Sequence, residues 1–151
     1  MLKTLVARLG LMTAAVALLA ACGSQPSEPT RQEGERVASD HPVVGQRWNL
    51  LLVGTDERLS MPDTPHFVVS PEGRVSGSDG CNSLNGRVSL GEGNRIEFSE
   101  LATSRRGCPQ LEDAKRVTAM MENAYRFLID HDRLVFFGPD QRVLGGWKKA
   151  D

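Results

Sequence analysis

The chain is most distinctive at Gly77-Ser78-Asp79-Gly80-Cys81-Asn82-Ser83-Leu84-Asn85-Gly86. Glycine and asparagine tolerate a positive φ, so their density here indicates a tight connection between two strands. Ser78 and Cys81 also suggest an alternative, a loop that carries a nucleophile. The stretch does not fit a nucleophile elbow, which requires Gly-x-Ser-x-Gly between a strand and a helix. We therefore favour a structural turn that Cys81 anchors.

Strand-like segments lie on both sides of this stretch, separated by turn residues. Ser70-Pro71-Glu72-Gly73 has Pro and Gly where a β-turn favours them, and Gly91-Glu92-Gly93 marks a second hairpin. Arg95-Ile96-Glu97-Phe98 alternates polar and apolar residues, as a half-buried strand does. The predicted strands are 48–53, 66–69, 74–76, 86–90, 94–98, 134–137 and 141–144.

One amphipathic helix is predicted from Pro109 to Asp130. Its apolar stripe has spacings of three and four residues and consists of Leu111, Ala114, Thr118, Met121, Tyr125 and Leu128. Pro109 suits the first helical position, and Glu112 and Asp113 complement the positive end of the helix. Several strands, one helix and two more strands predict an α+β domain, a small antiparallel curled sheet or barrel with one packed α-helix.

The N-terminal segment predicts the cellular compartment. Lys3 and Arg8 accompany an apolar run of about a dozen residues, whereas a membrane span needs about 20. Leu19-Ala20-Ala21-Cys22 then resembles a lipobox, in which the chain is cut before the cysteine and its thiol takes a lipid carrying acyl chains such as palmitate. We therefore expect residues 1–21 to be a lipoprotein signal peptide, 22–41 a flexible tether without apolar periodicity, and 42–151 the folded domain.

Charge narrows the range of partners. Cleavage removes Lys3 and Arg8 and no acidic residue, so 16 basic residues remain against 19 acidic ones, a net charge of −3. This argues against a nucleic-acid partner, which needs a basic patch, and against polybasic attachment to anionic lipid. We expect the lipid on Cys22 to hold the protein in the cell envelope, facing the periplasm. Gly23-Ser24 lacks an aspartate after the cysteine, which favours the outer membrane.

Cys81 and Cys108 remain as an even pair once Cys22 carries lipid. In an oxidising periplasm such a pair usually forms a disulfide. The loop that it closes is about 28 residues long, and in the chain-entropy model the bond contributes about 3.5 kcal/mol.

No metal, cofactor or catalytic site is predicted. His41, His66 and His131 do not pair at metal-ligand spacing, and His-Glu-x-x-His is absent from the chain. No calcium-loop pattern surrounds the aspartates beside His131. Arg105 and Arg106 lie just before the predicted helix, where they could bind an anion. The favoured interpretation of this pair is a solvated loop without a ligand.

The run Leu134-Val135-Phe136-Phe137 lacks the alternation of a half-wet strand, so both of its faces need cover. In one interpretation, the helix and the opening strand at Trp48 cover both faces. In the other, one face lines a groove for an acyl chain or an apolar peptide. Phe136 and Phe137 are the candidate groove residues, and whichever is more exposed would line it.

These residues resemble the META/HslJ family of small envelope domains. Residues 75–86 resemble the family's glycine-rich Gly-Cys-Asn loop, Ser104–Pro109 resembles its Thr-Arg-Met-x-Cys segment, and Trp48 with Leu50 resembles its opening strand. Asp79 departs from the pattern, because the family often has a small residue there. The resemblance implies a barrel-like sheet with one helix, a link to heat shock, drug tolerance and secretion, and no established catalytic activity. Similar barrels occur in pilotin lipoproteins that bind a lipid or a partner's tail.

Three functions compete at this point. The first is a non-enzymatic envelope module that binds an apolar ligand or an exported protein's segment in stress tolerance. The second is a structural lipoprotein that docks a larger envelope complex. The third, a hydrolase or redox enzyme using Ser78 or Cys81, is disfavoured because no Cys-x-x-Cys motif is present. An open apolar groove would favour the first function, and a broad flat patch would favour the second.

Overall fold

A computed structural model describes residues 39–151, which form an eight-stranded antiparallel sheet closed into a ring, with one α-helix. The predicted small antiparallel barrel with one packed helix is confirmed, although the fold is mostly β. The strands pair in chain order, and β8 returns to β1. The elements are β1 (Arg47–Val53), β2 (His66–Val69), β3 (Arg74–Ser78), β4 (Ser83–Gly91), a short 3-10 helix (Glu92–Asn94), β5 (Arg95–Thr103), α1 (Leu111–Glu122), β6 (Arg126–Asp130), β7 (Arg133–Phe137) and β8 (Val143–Lys149). The predicted signal peptide, Cys22 and residues 22–38 of the tether lie outside the described residues.

Aromatic side chains fill the inside of the ring. Successive strand residues point to opposite faces, so alternate side chains meet at the centre. Phe67, Phe136 and Trp147 are fully buried there, and Phe98 is 6% exposed. The Phe67 ring centroid lies 4.8 Å from that of Trp147 and 5.8 Å from that of Phe98. An eight-stranded barrel is just wide enough for side chains to fill, and these rings occupy its centre.

The helix α1 lies at one end of the ring. In an antiparallel ring with strands in chain order, all odd-numbered strands end on the same side. The contacts of α1 are on that side: Cys108 is bonded to Cys81 after β3, and Arg116 pairs with Glu57 after β1. The buried face of α1 consists of Ala114, Val117, Met120 and Met121. Within residues 39–151, no helix has the length and apolar character needed to cross a membrane.

The predicted helix was too long at its C-terminal end, because it ends at Glu122 and not near Asp130. Leu128 fits the spacing of the helical stripe, but it belongs to β6 and is 49% exposed. From Phe127 onwards the burial alternates between neighbouring residues, and β6 pairs with β7 through five residue pairs. This hairpin competes with the helix for the same residues, and tertiary pairing prevails over a periodicity that extends beyond Asn123.

The opposite end of the ring is covered by the residues that precede β1. Val43 is fully buried, and its carbonyl oxygen accepts a hydrogen bond of 3.1 Å from Trp48 Nε1. The His41 ring meets the Phe127 ring edge-on at 5.6 Å. His41, which we predicted to be the last residue of the tether, therefore contacts the folded domain.

Candidate functional site

The Gly-Cys-Asn loop joins β3 to β4 and is held by its own side chains. Asp79 is 3% exposed, and its Oδ1 accepts the backbone N–H of Cys81 at 2.8 Å and that of Asn82 at 2.6 Å. Ser78 Oγ accepts the N–H of Gly80 at 3.0 Å, and Gly80 has φ +99°. The aspartate that departs from the family pattern thus closes the turn, because it satisfies two backbone donors that would otherwise lack partners.

Asn82 ties this loop to the segment before α1. Asn82 is 5% exposed, and its Oδ1 accepts the backbone N–H groups of Arg106 at 2.8 Å and Gly107 at 3.0 Å. Ser104 Oγ also approaches this oxygen, at 3.4 Å. One amide oxygen therefore fixes the path of the chain from β5 towards the helix.

The structure has the predicted disulfide between Cys81 and Cys108, with a Cα–Cα distance of 5.6 Å. The bond lies beside the Asn82 contacts, so a covalent link and hydrogen bonds hold the same two segments together. Cys81 is consequently a disulfide sulfur and not a thiolate. Together with the hydrogen bond to Ser78, this supports the structural interpretation of the Gly-Cys-Asn loop.

The two candidate groove residues lie on opposite faces of β7. Phe136 points into the ring and is fully buried, so it is part of the core and cannot line a groove on the outside. Phe137 is half-buried on the outer face, opposite Arg126 of β6 and Val143 of β8. One face of the apolar run Leu134–Phe137 is therefore buried inside the ring, and the other face of this run lies on the outside of the ring.

An apolar groove lies on this outer face, next to Phe137. Its volume is about 230 Å³, and it is lined by Leu51, Leu52, Gly54, Thr55, Arg133, Val135, Val143, Gly146 and Trp147. The strand registers explain its shape, because Val135 of β7 and Leu52 of β1 both lie opposite Gly146 of β8. Gly146 has no side chain, so its position forms the floor between two apolar walls. We call this site the Gly146 groove.

Neither Phe136 nor Phe137, the groove residues predicted from the sequence, is among the residues that line the Gly146 groove. The available signal was the pair Gly145-Gly146, because a glycine inside a strand often marks a close approach of another group. At Gly145 a Cβ atom would overlap the Met120 sulfur and come within 2.6 Å of the Leu52 carbonyl oxygen. At Gly146 the nearest atom to an added Cβ would be the Leu134 carbonyl oxygen, at 3.8 Å. The first glycine thus makes room for the helix, and the second leaves open space.

Charged residues border the groove on one side. Arg133 lines it, and Lys148 lies directly opposite Arg133 in the β7–β8 ladder. Lys148 Nζ is 3.8 Å from Asp132 Oδ2, and Asp130 Oδ1 is 2.6 Å from His131 Nδ1. Among the described residues, no carboxylate lies within ion-pair distance of Arg133.

The histidines are widely separated. His41 packs against Phe127, and burial lowers the pKa of its imidazole, although Asp40 acts in the opposite direction. His66 Nδ1 lies 3.0 Å from the Thr64 carbonyl oxygen, and the side chain of His131 is 92% exposed beside Asp130. Within residues 39–151, no three histidine, cysteine or acidic side chains cluster in a way that could hold a metal ion.

A second, broader concavity lies on the outer face of β2 to β5. Its volume is about 700 Å³, and its lining includes Ser76, Arg74, Asn85, Arg87, Glu100 and Ala102. Arg87 Nε is 3.2 Å from Glu100 Oε2, and both side chains are more than half exposed. This concavity is wider than the Gly146 groove, and its lining includes an ion pair.

Comparison with known proteins agrees with this fold. One similar solved structure, described only as an NMR structure, has 23% identity and a TM-score of 0.54 over 70% of this chain and 90% of its own. The crystal structure of a DUF4847 family protein from Bacteroides vulgatus ATCC 8482 has 11% identity and a TM-score of 0.53 over 73% of this chain and 97% of its own. At these identities the likeness shows the fold alone, and no curated protein matches the chain in sequence. The family model for the META domain matches residues 41–151, and the chain therefore belongs to the META domain family.

Proposed function

We propose that this protein is a membrane-anchored envelope lipoprotein whose META domain binds an apolar ligand, or an apolar segment of a partner, without catalysing a reaction on it. The observation that carries the proposal is the Gly146 groove. Its walls are the aliphatic side chains of Leu51, Leu52, Val135 and Val143, and its floor is a glycine. An apolar concavity with few polar groups is the usual form of a small-molecule site.

The anchor rests on the N-terminal sequence. Leu19-Ala20-Ala21-Cys22 follows a short apolar run, and lipid on Cys22 would hold the domain at the membrane. Two or more acyl chains give stable attachment, whereas one gives marginal binding. We place the protein on the outer membrane, facing the periplasm, and we take the role in stress tolerance from the family resemblance.

The binding step can be tested with an uncharged apolar probe, decanol. The protein is the exported full chain carrying Cys22→Ser, so that its own acyl groups do not compete. Gly146→Val should abolish decanol binding in calorimetry, because the new side chain fills the groove and has no neighbour closer than 3.8 Å at its Cβ atom. Ala102→Val is the control, since it adds two methyl groups to the exposed outer face of β5 and should leave binding unchanged.

Two results would refute the proposal. One is a wild-type chain that does not bind decanol. The other is a Gly146→Val variant that folds normally and binds decanol as tightly as the wild type.

A second function, docking of a larger envelope complex, is favoured by the broad concavity over β2 to β5. Its volume of about 700 Å³ and its ion pair between Arg87 and Glu100 suit the surface of a partner protein better than a single acyl chain. Crosslinking in cells from residue 102 should then capture one defined protein, and Arg87→Glu should weaken the capture. Capture from residue 135 and not from residue 102 would argue against this alternative.

A further inference from the structure

We propose that the ligand of the Gly146 groove is a monomeric single-chain amphiphile with an anionic head, a fatty-acid carboxylate, whose head lies at Arg133. This inference rests on the proposed function and adds the chemical class of the ligand and its orientation. Three features of the outer face of β6, β7, β8 and β1 support it: the size of the groove, the order of its side chains and the charge at one side.

The size of the groove limits the ligand to a single chain. Its volume of about 230 Å³ corresponds to about eight water molecules at about 30 Å³ each, and hence to a similar number of methylene groups. Sites for drug-sized ligands have volumes of about 300–1,000 Å³, so this groove suits a single chain better than a bulky ring system or a pair of acyl chains. Decanoate contains eight methylene groups and is therefore a ligand of suitable size.

The strand register orders the outer side chains into a charged row and an apolar row. In the apolar row, Leu128, Val135, Gly146 and Leu52 lie opposite one another across β6, β7, β8 and β1. The next outward-facing row lies two residues away on β6, β7 and β8 and three residues away on β1, where the register shifts. It contains Asp130, Arg133, Lys148 and Asn49. A chain lying over Gly146 therefore has Arg133 and Lys148 on one side, and on the other side the next row contains Arg126, Phe137 and Val143. Of the residues that line the groove, Arg133 alone is charged, so the groove is apolar with one basic group at its edge, which suits an amphiphile.

Arg133 is the residue placed to receive the head. Arg133 lines the groove, whereas Lys148 forms an ion pair with Asp132, with 3.8 Å between Nζ and Oδ2. Asp130 lies opposite Arg133 in the ladder, but its Oδ1 is 2.6 Å from His131. The ligand carboxylate would thus bind the exposed guanidinium of Arg133, whose N–H donors match the geometry of a carboxylate. Asp130 is the neighbouring carboxylate that competes for this guanidinium.

The exposure of Arg133 sets the expected size of the effect. An ion pair at a solvated site is weak, so decanoate should bind about threefold more tightly than decanol at low ionic strength. High salt should remove the preference, because screening acts strongly on exposed charges.

The experiment compares decanoate with decanol on the exported full chain carrying Cys22→Ser, by calorimetry at pH 8 and at concentrations below micelle formation. The wild type should prefer decanoate about threefold, Arg133→Gln should bind both equally, and Arg133→Lys should keep part of the preference. Arg142→Gln is the matched control, because Arg142 pairs with Asp140, with 3.5 Å between Nε and Oδ2. This variant should keep the full preference for decanoate. Thermal unfolding of each variant checks that the fold survives.

The outcomes separate this inference from the proposed function. Equal binding of decanol and decanoate by the wild type overturns the assignment of an anionic head and leaves the groove in place. An unchanged preference in Arg133→Gln overturns the role of Arg133. Absence of binding by either ligand overturns both proposals, and binding to anionic phospholipid vesicles without binding to monomeric decanoate replaces the monomer with a membrane surface.

Discussion

The side-chain oxygen of Asn82 should be one of the larger single contributors to the stability of this domain. Replacing Asn82 by Ala removes the acceptor for the N–H groups of Arg106 and Gly107 at 2.8 and 3.0 Å. An amide donor left without a partner costs about 1–3 kcal/mol, and the exposed position of this segment places each donor at the lower end of that range. We therefore expect a loss of about 2–3 kcal/mol, equivalent to about 8–12 °C in the unfolding midpoint at about 4 °C per kcal/mol.

Asn85→Ala is the matched control for this measurement. Asn85 is exposed on the outer face of β4 and makes no side-chain hydrogen bond within residues 39–151, so its replacement should shift the midpoint by about 2 °C or less. Thermal unfolding by circular dichroism, on the oxidised protein, compares the two variants. Hydrogen exchange should also become faster at the amides of Arg106 and Gly107 in Asn82→Ala. Equal midpoints for the two variants would show that the Asn82 contacts do not stabilise the fold.

Four further predictions follow from the structure and the N-terminal sequence. Gly145→Ala should lower the free energy of unfolding by about 1–3 kcal/mol in a denaturant titration, because the added Cβ atom overlaps the Met120 sulfur. Gly146→Ala should be neutral or stabilising in the same titration. The reverse order of stability would contradict the packing. Cys81→Ser should lower stability by about 3.5 kcal/mol and match Cys108→Ser, and two free thiols in the exported protein would refute the bond. Burial lowers the pKa of His41 in the folded state below its unfolded value of 6.5, so folding favours the neutral imidazole. The contribution of His41 to the free energy of unfolding should therefore be complete above pH 6.5 and be lost as the pH falls through the folded-state pKa. His41→Gln should remove this dependence, His131→Gln should keep it, and identical pH curves for the wild type and His41→Gln would argue against it. Mass spectrometry of the membrane form should find a mature chain that begins at acylated Cys22, and retained residues 1–21 would contradict the lipobox.

Much of the fold follows from local patterns in the sequence. The strand at Trp48–Val53 and the hairpin around Ser70–Gly73 were predicted from apolar runs and turn residues, and the structure confirms both. The error at the end of α1 arose because Tyr125 and Leu128 fit a helical period as well as a strand. Only the pairing of β6 with β7 decides between the two, and that pairing is a tertiary interaction.

The candidate site was harder to predict, because it depends on strand register. Val135 and Leu52 are distant in sequence and become neighbours only because both lie opposite Gly146. The sequence showed that both faces of Leu134–Phe137 need cover, but it could not show that Phe136 faces the core. The Gly-Cys-Asn loop was predictable as a structural turn, since its residue types alone indicate tight turns and a disulfide.

The position of the bound ligand shows directly whether the Gly146 groove is the binding surface. In a titration of the ¹⁵N-labelled, oxidised full chain carrying Cys22→Ser with decanol, the amide resonances of Val135, Val143 and Gly146 should shift most. Those of residues 80–82 in the Gly-Cys-Asn loop should remain unchanged. Largest shifts at residues 80–82, or no saturable shift at Gly146, would contradict the claim that the outer face of β7 and β8 is the functional surface of this protein.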